Sequence, residues 1–241
     1  MAEHATAQID ERPAATGSRF LKYTFFKVAR EWRSLPDPEK ESSRIELAAL
    51  LSRSQASLKL QLFSLVGIRG DADFMLLADS ETLEPFQELI SAVLSTRLGR
   101  YFEIPYSYLA MTRQSHYTRS HKHLGQEVDE SLIPDQAKYM FVYPFVKMRS
   151  WYGLPFAERQ RIMGEHFKVG RKYPKIKINT GYSFGLDDQE FVLAFEGDEP
   201  AQFLALVEEL RSTEASKYTE RETPIFTCVR TDAAQLLRLL G

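Results

Sequence analysis

Cysteine is nearly absent, since Cys228 is the only one among 241 residues. A lone cysteine excludes an internal disulfide and any metal cluster built on several thiolates. The chain also has no apolar run of membrane-spanning length and no signal peptide pattern at its N-terminus, so we expect a cytoplasmic protein without membrane contact. The formal net charge of −2 gives no basis for binding nucleic acid.

Two common catalytic motifs are missing as well. The segment 181–185 (GYSFG) lacks the glycine spacing and the following helix of a phosphate-binding loop. No arrangement of serine, cysteine and histidine typical of a hydrolase nucleophile is apparent. What is present is an ordinary globular composition, with 44% hydrophobic and 27% charged residues, which is enough to bury a good core.

Hydrophobic periodicity predicts the same order of elements twice. In residues 19–111 and again in 138–241, the order is strand, helix, strand, strand, helix, strand, and a short helix ends the chain. This order is the ferredoxin-like, split βαβ arrangement. Two such units can set their sheets face to face or curl them into a barrel with the helices outside. Residues 1–18 are polar and rich in alanine, which predicts a disordered tail.

The repeat is visible in individual residues. Five residues of the first unit recur with the same spacing in the second: Phe26, Arg30, Trp32, Leu35 and Pro36 correspond to Phe145, Arg149, Trp151, Leu154 and Pro155. Further along, Asp73, Phe74 and Phe86 correspond to Glu190, Phe191 and Phe203. Self-similarity at this scale indicates duplication of one α+β unit.

The segment between the units, 112–137, is long and polar, which predicts a functional or mobile linker loop. It holds three of the five histidines, His116, His121 and His123. The closely spaced His121 and His123 could suggest a metal site. The basic neighbours Arg119 and Lys122 would repel a cation, however, so a solvated loop is the better interpretation.

The stretch 143–171 supplies a tyrosine, a lysine and a histidine on regular elements. Tyr143 and Lys147 lie four apart on a predicted strand and therefore on one face. A structural aromatic and an amphipathic lysine on a half-exposed strand would give the same pattern. His166 lies near the end of an amphipathic helix, where a lone histidine is more often a hydrogen-bonded core residue. It is nevertheless enough for haem iron, which needs only one protein nitrogen, whereas zinc needs more.

Four short motifs in this half carry a family resemblance. They are Tyr143-Pro144-Phe145-Val146-Lys147, Trp151-Tyr152, the M-x-x-H-x-x-x-G-R pattern from Met163 to Arg171, and Gly185-Leu186-Asp187-Asp188. In this order they resemble the chlorite dismutase-like haem protein family, specifically its coproheme decarboxylase branch. The resemblance extends over about residues 20 to 230. It implies two tandem ferredoxin-like repeats forming a dimeric α+β barrel, a homopentamer, and a porphyrin in the C-terminal repeat.

The resemblance also implies a role for single residues. His166 matches the proximal iron ligand, and Glu214 matches a carboxylate that hydrogen-bonds this histidine. Tyr143 matches the tyrosine that carries a radical, and Lys147 matches a lysine near the reacting propionate. The remaining members of the expected cofactor-binding set are Tyr117, Trp151, Ile178 and Thr223, of which Tyr117 and Thr223 would bind the other propionates.

The implied reaction is peroxide-dependent decarboxylation of iron coproporphyrin III to haem b, in haem biosynthesis. The Tyr143 radical would remove a hydrogen from a propionate β-carbon, and loss of carbon dioxide would leave a vinyl group. The porphyrin is then both substrate and cofactor. Ile178 aligns where chlorite dismutases have an arginine, and a slip of one residue would put Lys177 or Asn179 there instead. A non-catalytic haem-binding protein and, less favoured, a chlorite dismutase are the alternatives.

Overall fold

The computed structural model describes residues 18–113 and 137–241. The first unit contains strands β1 (Phe20–Val28), β2 (Lys59–Ser64), β3 (Phe74–Ser80) and β4 (Phe102–Met111), with helices α1 (Arg30–Arg33), α2 (Asp37–Ser57) and α3 (Glu84–Ser95). The second contains β5 (Tyr139–Lys147), β6 (Lys177–Tyr182), β7 (Phe191–Gly197), β8 (Thr219–Arg221) and β9 (Phe226–Thr231), with α4 (Arg149–Gly153), α5 (Phe156–Gly170), α6 (Pro200–Arg211) and α7 (Ala233–Leu239). No helix within the described ranges has the length and apolar character needed to cross a membrane.

The strands close into a barrel. Their order is β4-β1-β3-β2 in the first unit and β9-β5-β7-β6 in the second, which is the same arrangement. The units join where β2 pairs with β9 and β4 pairs with β6. Each of these strand pairings is antiparallel, and the short β8 continues alongside the end of β5. The predicted fold class, two ferredoxin-like repeats in a dimeric α+β barrel, is confirmed.

Strand residues alternate between two cores. The barrel interior takes one set, which includes Phe25, Phe63 and Phe226. The outer face of the first unit takes the other, in which Phe26 and Phe74 pack beneath α2 and α3. Strands buried on both faces explain the long apolar runs in the sequence, since only strands that face water on one side need polar residues at alternate positions.

Two sets of side-chain contacts secure the seams between the repeats. At the β2–β9 seam the Arg230 guanidinium donates to the Gln61 side-chain oxygen at 2.8 Å. At the β4–β6 seam the two strands share a single residue pair. The β6–β7 turn supplies two further hydrogen bonds there. The Asp187 carboxylate accepts from the Leu109 N–H at 2.7 Å, and the Ser183 hydroxyl donates to the Leu109 carbonyl at 2.7 Å. Gly185, with φ of +72°, permits this turn.

A proline precedes the long helix of each repeat. Pro36 caps α2 and Pro155 caps α5, with φ of −57° and −53°. Proline suits the start of a helix because its fixed φ is nearly helical and its missing N–H would lack a partner there. The helices therefore begin directly after these prolines, at Asp37 and Phe156.

The last helix, α7, packs against the helical layer of the first repeat. Leu236, Leu237 and Leu240 belong to the same buried cluster as Leu47 of α2. The indole N–H of Trp32 donates to the Leu240 carbonyl at 3.2 Å. The helical layer of the first repeat is thus filled with apolar side chains and completed by the C-terminus of the chain.

Candidate functional site

Tyr143 is buried on the outer face of β5. Only 5% of the residue is exposed, and its ring lies parallel to that of Phe195, with centroids 5.9 Å apart. Burial raises the pKa of the Tyr143 phenol well above its usual value, and the charge of Glu222 acts in the same direction. The phenol therefore stays protonated throughout the physiological range.

The loop 222–225 lies next to Tyr143 along β5. Its position follows from the register, because β8 pairs Arg221 with Val146 and β9 pairs Phe226 with Val142. Thr223, expected to bind a propionate, is an exposed residue of this loop. Its neighbour Glu222 pairs with Arg211 at 2.6 Å.

Lys147 is a buried lysine at the end of β5. Its Nζ donates to the Ala215 carbonyl at 3.0 Å and lies 4.8 Å from the ring centre of Trp151 and 5.2 Å from that of Phe145. Burial lowers the pKa of Lys147 to about 8, while the charges of Glu190 and Glu222 oppose the shift. The ammonium is thus available to attract a carboxylate at neutral pH.

His166 projects from α5 toward the same region. It is half-buried, and its ring nitrogen Nδ1 is buried with no hydrogen-bond partner among the described residues. Burial lowers the pKa of His166 to about 4, and the nearby Lys147 charge adds to this effect. The imidazole is therefore neutral at pH 7, which is the form that binds a metal ion.

The expected hydrogen bond between Glu214 and His166 is not formed in the described structure. The Glu214 carboxylate instead accepts from Arg161 at 2.8 Å, and its backbone N–H donates to Glu165 at 3.3 Å. Arg161 lies on α5 within reach of the carboxylate, and a charged donor makes a stronger bond than a neutral imidazole. The role of Glu214 as the partner of His166 stays a prediction.

The other expected site residues have different environments. Trp151 is 3% exposed and packs with Ile162 and Ala215. The contact between the Lys147 ammonium and the Trp151 ring is therefore buried. Ile178 lies opposite Phe195 in the β6–β7 register and is 43% exposed on the outer face. Tyr117, like the linker histidines and the predicted N-terminal tail, lies outside the described residues.

The first repeat shows what the same positions look like without polar chemistry. The spacing that relates Trp32 to Trp151 relates Thr24, Val28 and Leu47 to Tyr143, Lys147 and His166. All three residues of the first repeat are buried, with exposures of 2%, 2% and 1%. Only the second repeat therefore brings a phenol, an ammonium and an imidazole to its helix-covered face.

Two acidic residues of the site were not predicted. Glu222 and Glu190 both act electrostatically on Lys147, although they come from different elements. The sequence contained one signal for Glu190, its correspondence with Asp73 in the repeat. It did not show that Glu190 lies beside Lys147. Glu222 had no signal in the sequence, because its place beside β5 depends on how β8 and β9 pair.

Comparison with known proteins shows the family to which the chain belongs. The family model described as Chlorite dismutase matches residues 40–231. The chain belongs to the chlorite dismutase family. A curated relative, coproheme decarboxylase of Mycolicibacterium smegmatis, is 32% identical over 239 residues, which cover 97% of this chain and 99% of the relative.

Solved structures of the family share the fold. A chlorite dismutase variant from Candidatus Nitrospira defluvii superposes with a TM-score of 0.82 at 22% identity, covering 91% of this chain and 94% of that one. A haem-binding protein from Thermus thermophilus gives a TM-score of 0.82 at 24% identity, covering 93% and 95%. At these identities the likeness establishes the fold and leaves the activity to the site residues.

The residues of the second repeat fit an iron porphyrin. Within the described ranges no group of three or more His, Cys, Asp or Glu side chains could hold a bare metal ion. A porphyrin brings four nitrogen ligands of its own, so one neutral imidazole such as His166 is enough. No hydrogen bond from a described residue fixes the Nδ1 of that ring, and the Lys147 ammonium suits a propionate.

Proposed function

We propose that this protein is a peroxide-dependent coproheme decarboxylase that converts iron coproporphyrin III to haem b. The observation that carries the proposal is the joint position of Tyr143, Lys147 and His166 on one face of the second repeat. The 32% identity to the M. smegmatis coproheme decarboxylase supports the same substrate. The resemblance further favours a cytoplasmic role in haem biosynthesis.

Binding would be shared among several side chains. His166 would hold the iron through its neutral imidazole, and the Lys147 ammonium would hold the carboxylate of the reacting propionate. Thr223, on the exposed loop next to Tyr143, and Tyr117 would bind other propionates. When bound, the iron porphyrin supplies the oxidising chemistry with hydrogen peroxide.

Tyr143 would carry out the hydrogen transfer. Oxidation of the phenol removes one electron and its proton, leaving a phenoxyl radical. The radical takes a hydrogen atom from the β-carbon of a propionate and becomes the phenol again. Loss of carbon dioxide and of one further electron would leave a vinyl group, with hydrogen peroxide as the two-electron oxidant for each propionate. The apolar surroundings of Tyr143 suit this role, because they keep water from the radical.

Two alternatives follow from the family. A haem-binding protein without this activity is favoured by the Thermus thermophilus relative, which is described only as a haem-binding protein. Chlorite dismutase chemistry is disfavoured, because the apolar Ile178 offers no guanidinium where that activity is expected to need an arginine.

The test is a titration of the purified protein loaded with iron coproporphyrin III. Hydrogen peroxide is added stepwise and the porphyrin is followed by mass spectrometry. We expect loss of two carboxyl groups in succession, through an intermediate with three propionates. Bleaching without any loss of carboxylate, together with tighter binding of haem b than of coproheme, would favour the haem-binding alternative.

We also propose that the protein assembles as a homopentamer, as the family resemblance implies. Sedimentation equilibrium of the untagged protein should give five times the mass of the chain. A monomer mass at micromolar concentration would contradict this assembly and would leave the porphyrin chemistry to be judged by the titration above.

A further inference from the structure

A single carboxylate ties β5 to α4 beside the candidate site. Glu190 Oε2 accepts from the backbone N–H of Lys147 at 2.8 Å and from the Tyr152 hydroxyl at 2.6 Å. The Glu190 N–H donates to the Phe145 carbonyl at 3.2 Å, and the Glu190 carbonyl accepts from Ser183 at 2.8 Å. Glu190 thus fixes the backbone of the residue that carries the ammonium.

The first repeat contains the same set of bonds around Asp73. Asp73 accepts from the Val28 N–H at 2.8 Å through its carboxylate. Its N–H donates to the Phe26 carbonyl at 2.7 Å, and its carbonyl accepts from Leu65 at 2.8 Å. The bonds connecting the first and third strands are therefore a property of the repeat unit, and both carboxylates contribute to folding.

The two carboxylates differ in what surrounds them. The Asp73 carboxylate also pairs with Lys27 at 3.0 Å, and the side chain held in place by its backbone bond is the buried, apolar Val28. The Glu190 carboxylate takes a phenol hydroxyl as its second donor, and the residue held in place is Lys147. Only in the second repeat does the backbone hydrogen bond of this carboxylate hold a residue with a buried ammonium.

The Lys147 ammonium has a defined set of neighbours. The Ala215 carbonyl and the rings of Phe145 and Trp151 contact it directly. Charged or titratable groups act on it from three other elements: Glu190 at the start of β7, Glu222 on the β8–β9 loop and His166 on α5. Of these three, Glu190 is the one that is also bonded to the Lys147 backbone.

We propose that Glu190 is a positioning residue for Lys147. Its carboxylate, bonded to the Lys147 N–H and to the Tyr152 hydroxyl, fixes the position of the ammonium. Its negative charge offsets the free-energy cost of burying that ammonium. The identity of the carboxylate that Lys147 binds rests on the proposed function. The connection between Glu190 and Lys147 does not, so the two can be tested separately.

The first readout uses the protein without porphyrin. Glu190→Gln removes the charge at constant shape, and Asp73→Asn is the matched control in the repeat without the site. Trace acetylation with acetic anhydride at pH 7, read by peptide mass spectrometry, measures the reactivity of Lys147 against that of Lys59. We expect at least a threefold rise in Lys147 reactivity in Glu190→Gln, because loss of a nearby anion favours the neutral, nucleophilic amine. Asp73→Asn should leave it unchanged.

The second readout uses iron coproporphyrin III. Glu190→Gln should raise KM by about tenfold, with a smaller change in kcat, because a displaced binding group mainly weakens attachment of the propionate. Asp73→Asn should lower Tm by about as much as Glu190→Gln does, without changing KM. Glu190→Asp, which restores the charge, should recover part of the loss.

The outcomes separate the two proposals. Equal Lys147 reactivity in wild type, Glu190→Gln and Asp73→Asn overturns the positioning role, even if decarboxylation is observed. Raised Lys147 reactivity in Glu190→Gln, where the wild type does not decarboxylate, keeps the positioning role and overturns the proposed function. If Glu190→Gln does not fold, Tyr152→Phe keeps the Glu190 charge and removes one of its two hydrogen bonds. A raised KM in Tyr152→Phe supports the positioning role, and an unchanged KM overturns it.

Discussion

The Glu214 carboxylate is held by Arg161 at 2.8 Å, while the buried Nδ1 of His166 has no hydrogen-bond partner in the part of the chain that the structure describes. These two facts belong together, because Glu214 is the carboxylate that the family resemblance assigns to His166. Arg161 and His166 both lie on α5, which packs against the segment 214–218 that carries Glu214, so we expect the guanidinium and the imidazole to compete for this carboxylate. A hydrogen bond of this kind makes a ligating imidazole a stronger donor.

This competition gives a spectroscopic prediction. In the iron porphyrin complex, Arg161→Met should release Glu214 to His166 and raise the iron–histidine stretching frequency in resonance Raman spectra. Glu214→Gln should leave the frequency near that of wild type and should abolish the rise when it is combined with Arg161→Met, since an amide is a weaker acceptor. Arg159→Met on the same helix is the control. Identical frequencies in all variants would show that Glu214 does not act on His166.

His166→Leu should abolish iron coproporphyrin binding while stabilising the protein without porphyrin. Leucine is the residue at the corresponding position of the first repeat, and it removes the buried, unsatisfied ring nitrogen described above. Such a group costs about 1–3 kcal/mol, so we expect the free energy of unfolding to rise by about 1 kcal/mol. Affinity should fall by roughly 100-fold or more. Urea unfolding and a Soret-band titration measure the two effects; unchanged affinity would exclude His166 as the ligand.

The same histidine predicts a pH dependence of stability. Its pKa is lowered to about 4 in the folded protein, against about 6.5 in an unfolded chain. Between these pH values the unfolded state binds more protons than the folded state. The contribution of neutral His166 to the free energy of unfolding is therefore fully present above about pH 6.5 and is lost as the pH falls toward 4. Urea midpoints of the porphyrin-free protein should therefore fall more steeply over this window in wild type than in His166→Leu. Parallel curves would show that His166 is not desolvated.

Tyr143→Phe should keep porphyrin binding and lose vinyl formation. The ring stays in contact with Phe195, so the fold and affinity should change little, while the hydrogen-transferring oxygen is gone. General acid–base and radical groups of this kind contribute at least about 100-fold in rate. Tyr173→Phe, in the same apolar cluster as Tyr143, is the control and should remain active. Haem b formed at the normal rate by Tyr143→Phe would exclude the radical assignment.

Lys147 predicts an alkaline limit on catalytic efficiency. Its pKa of about 8 means that the ammonium of the free protein is lost as the pH rises through 8. Since kcat/KM reports groups of the free enzyme, it should decline above this pH in wild type. Lys147→Met should show a lower kcat/KM with no decline in this range. The pH profile of coproheme consumption measures both, and an identical decline in the variant would assign it to another group.

Much of the fold could be predicted because it depends on local pattern. β1 begins and ends where alternation and aromatic content predict, at Phe20 and Val28. The duplication was visible because Trp32 and Trp151 fill equivalent positions in equivalent helical layers. His166 could be singled out because α5 has a clear apolar side, formed by Ile162 and Val169. Each of these signals lies within a few turns of helix or one strand.

The chemistry of the site depended on contacts between distant segments. The sequence by itself determined the repeat and the three side chains on β5 and α5, because hydrophobic periodicity and spacing are carried by neighbouring residues. Periodicity left two facing sheets and a barrel both open, and the barrel was what the family resemblance implied. Only the tertiary structure decided that Tyr143 is fully enclosed, that Lys147 is desolvated against Trp151, and that Glu214 is held by Arg161. Burial, ion pairing and the resulting pKa shifts depend on distances in space, and the chain sets those distances only when β5, α4, α5 and the segment 214–218 pack together in the second repeat.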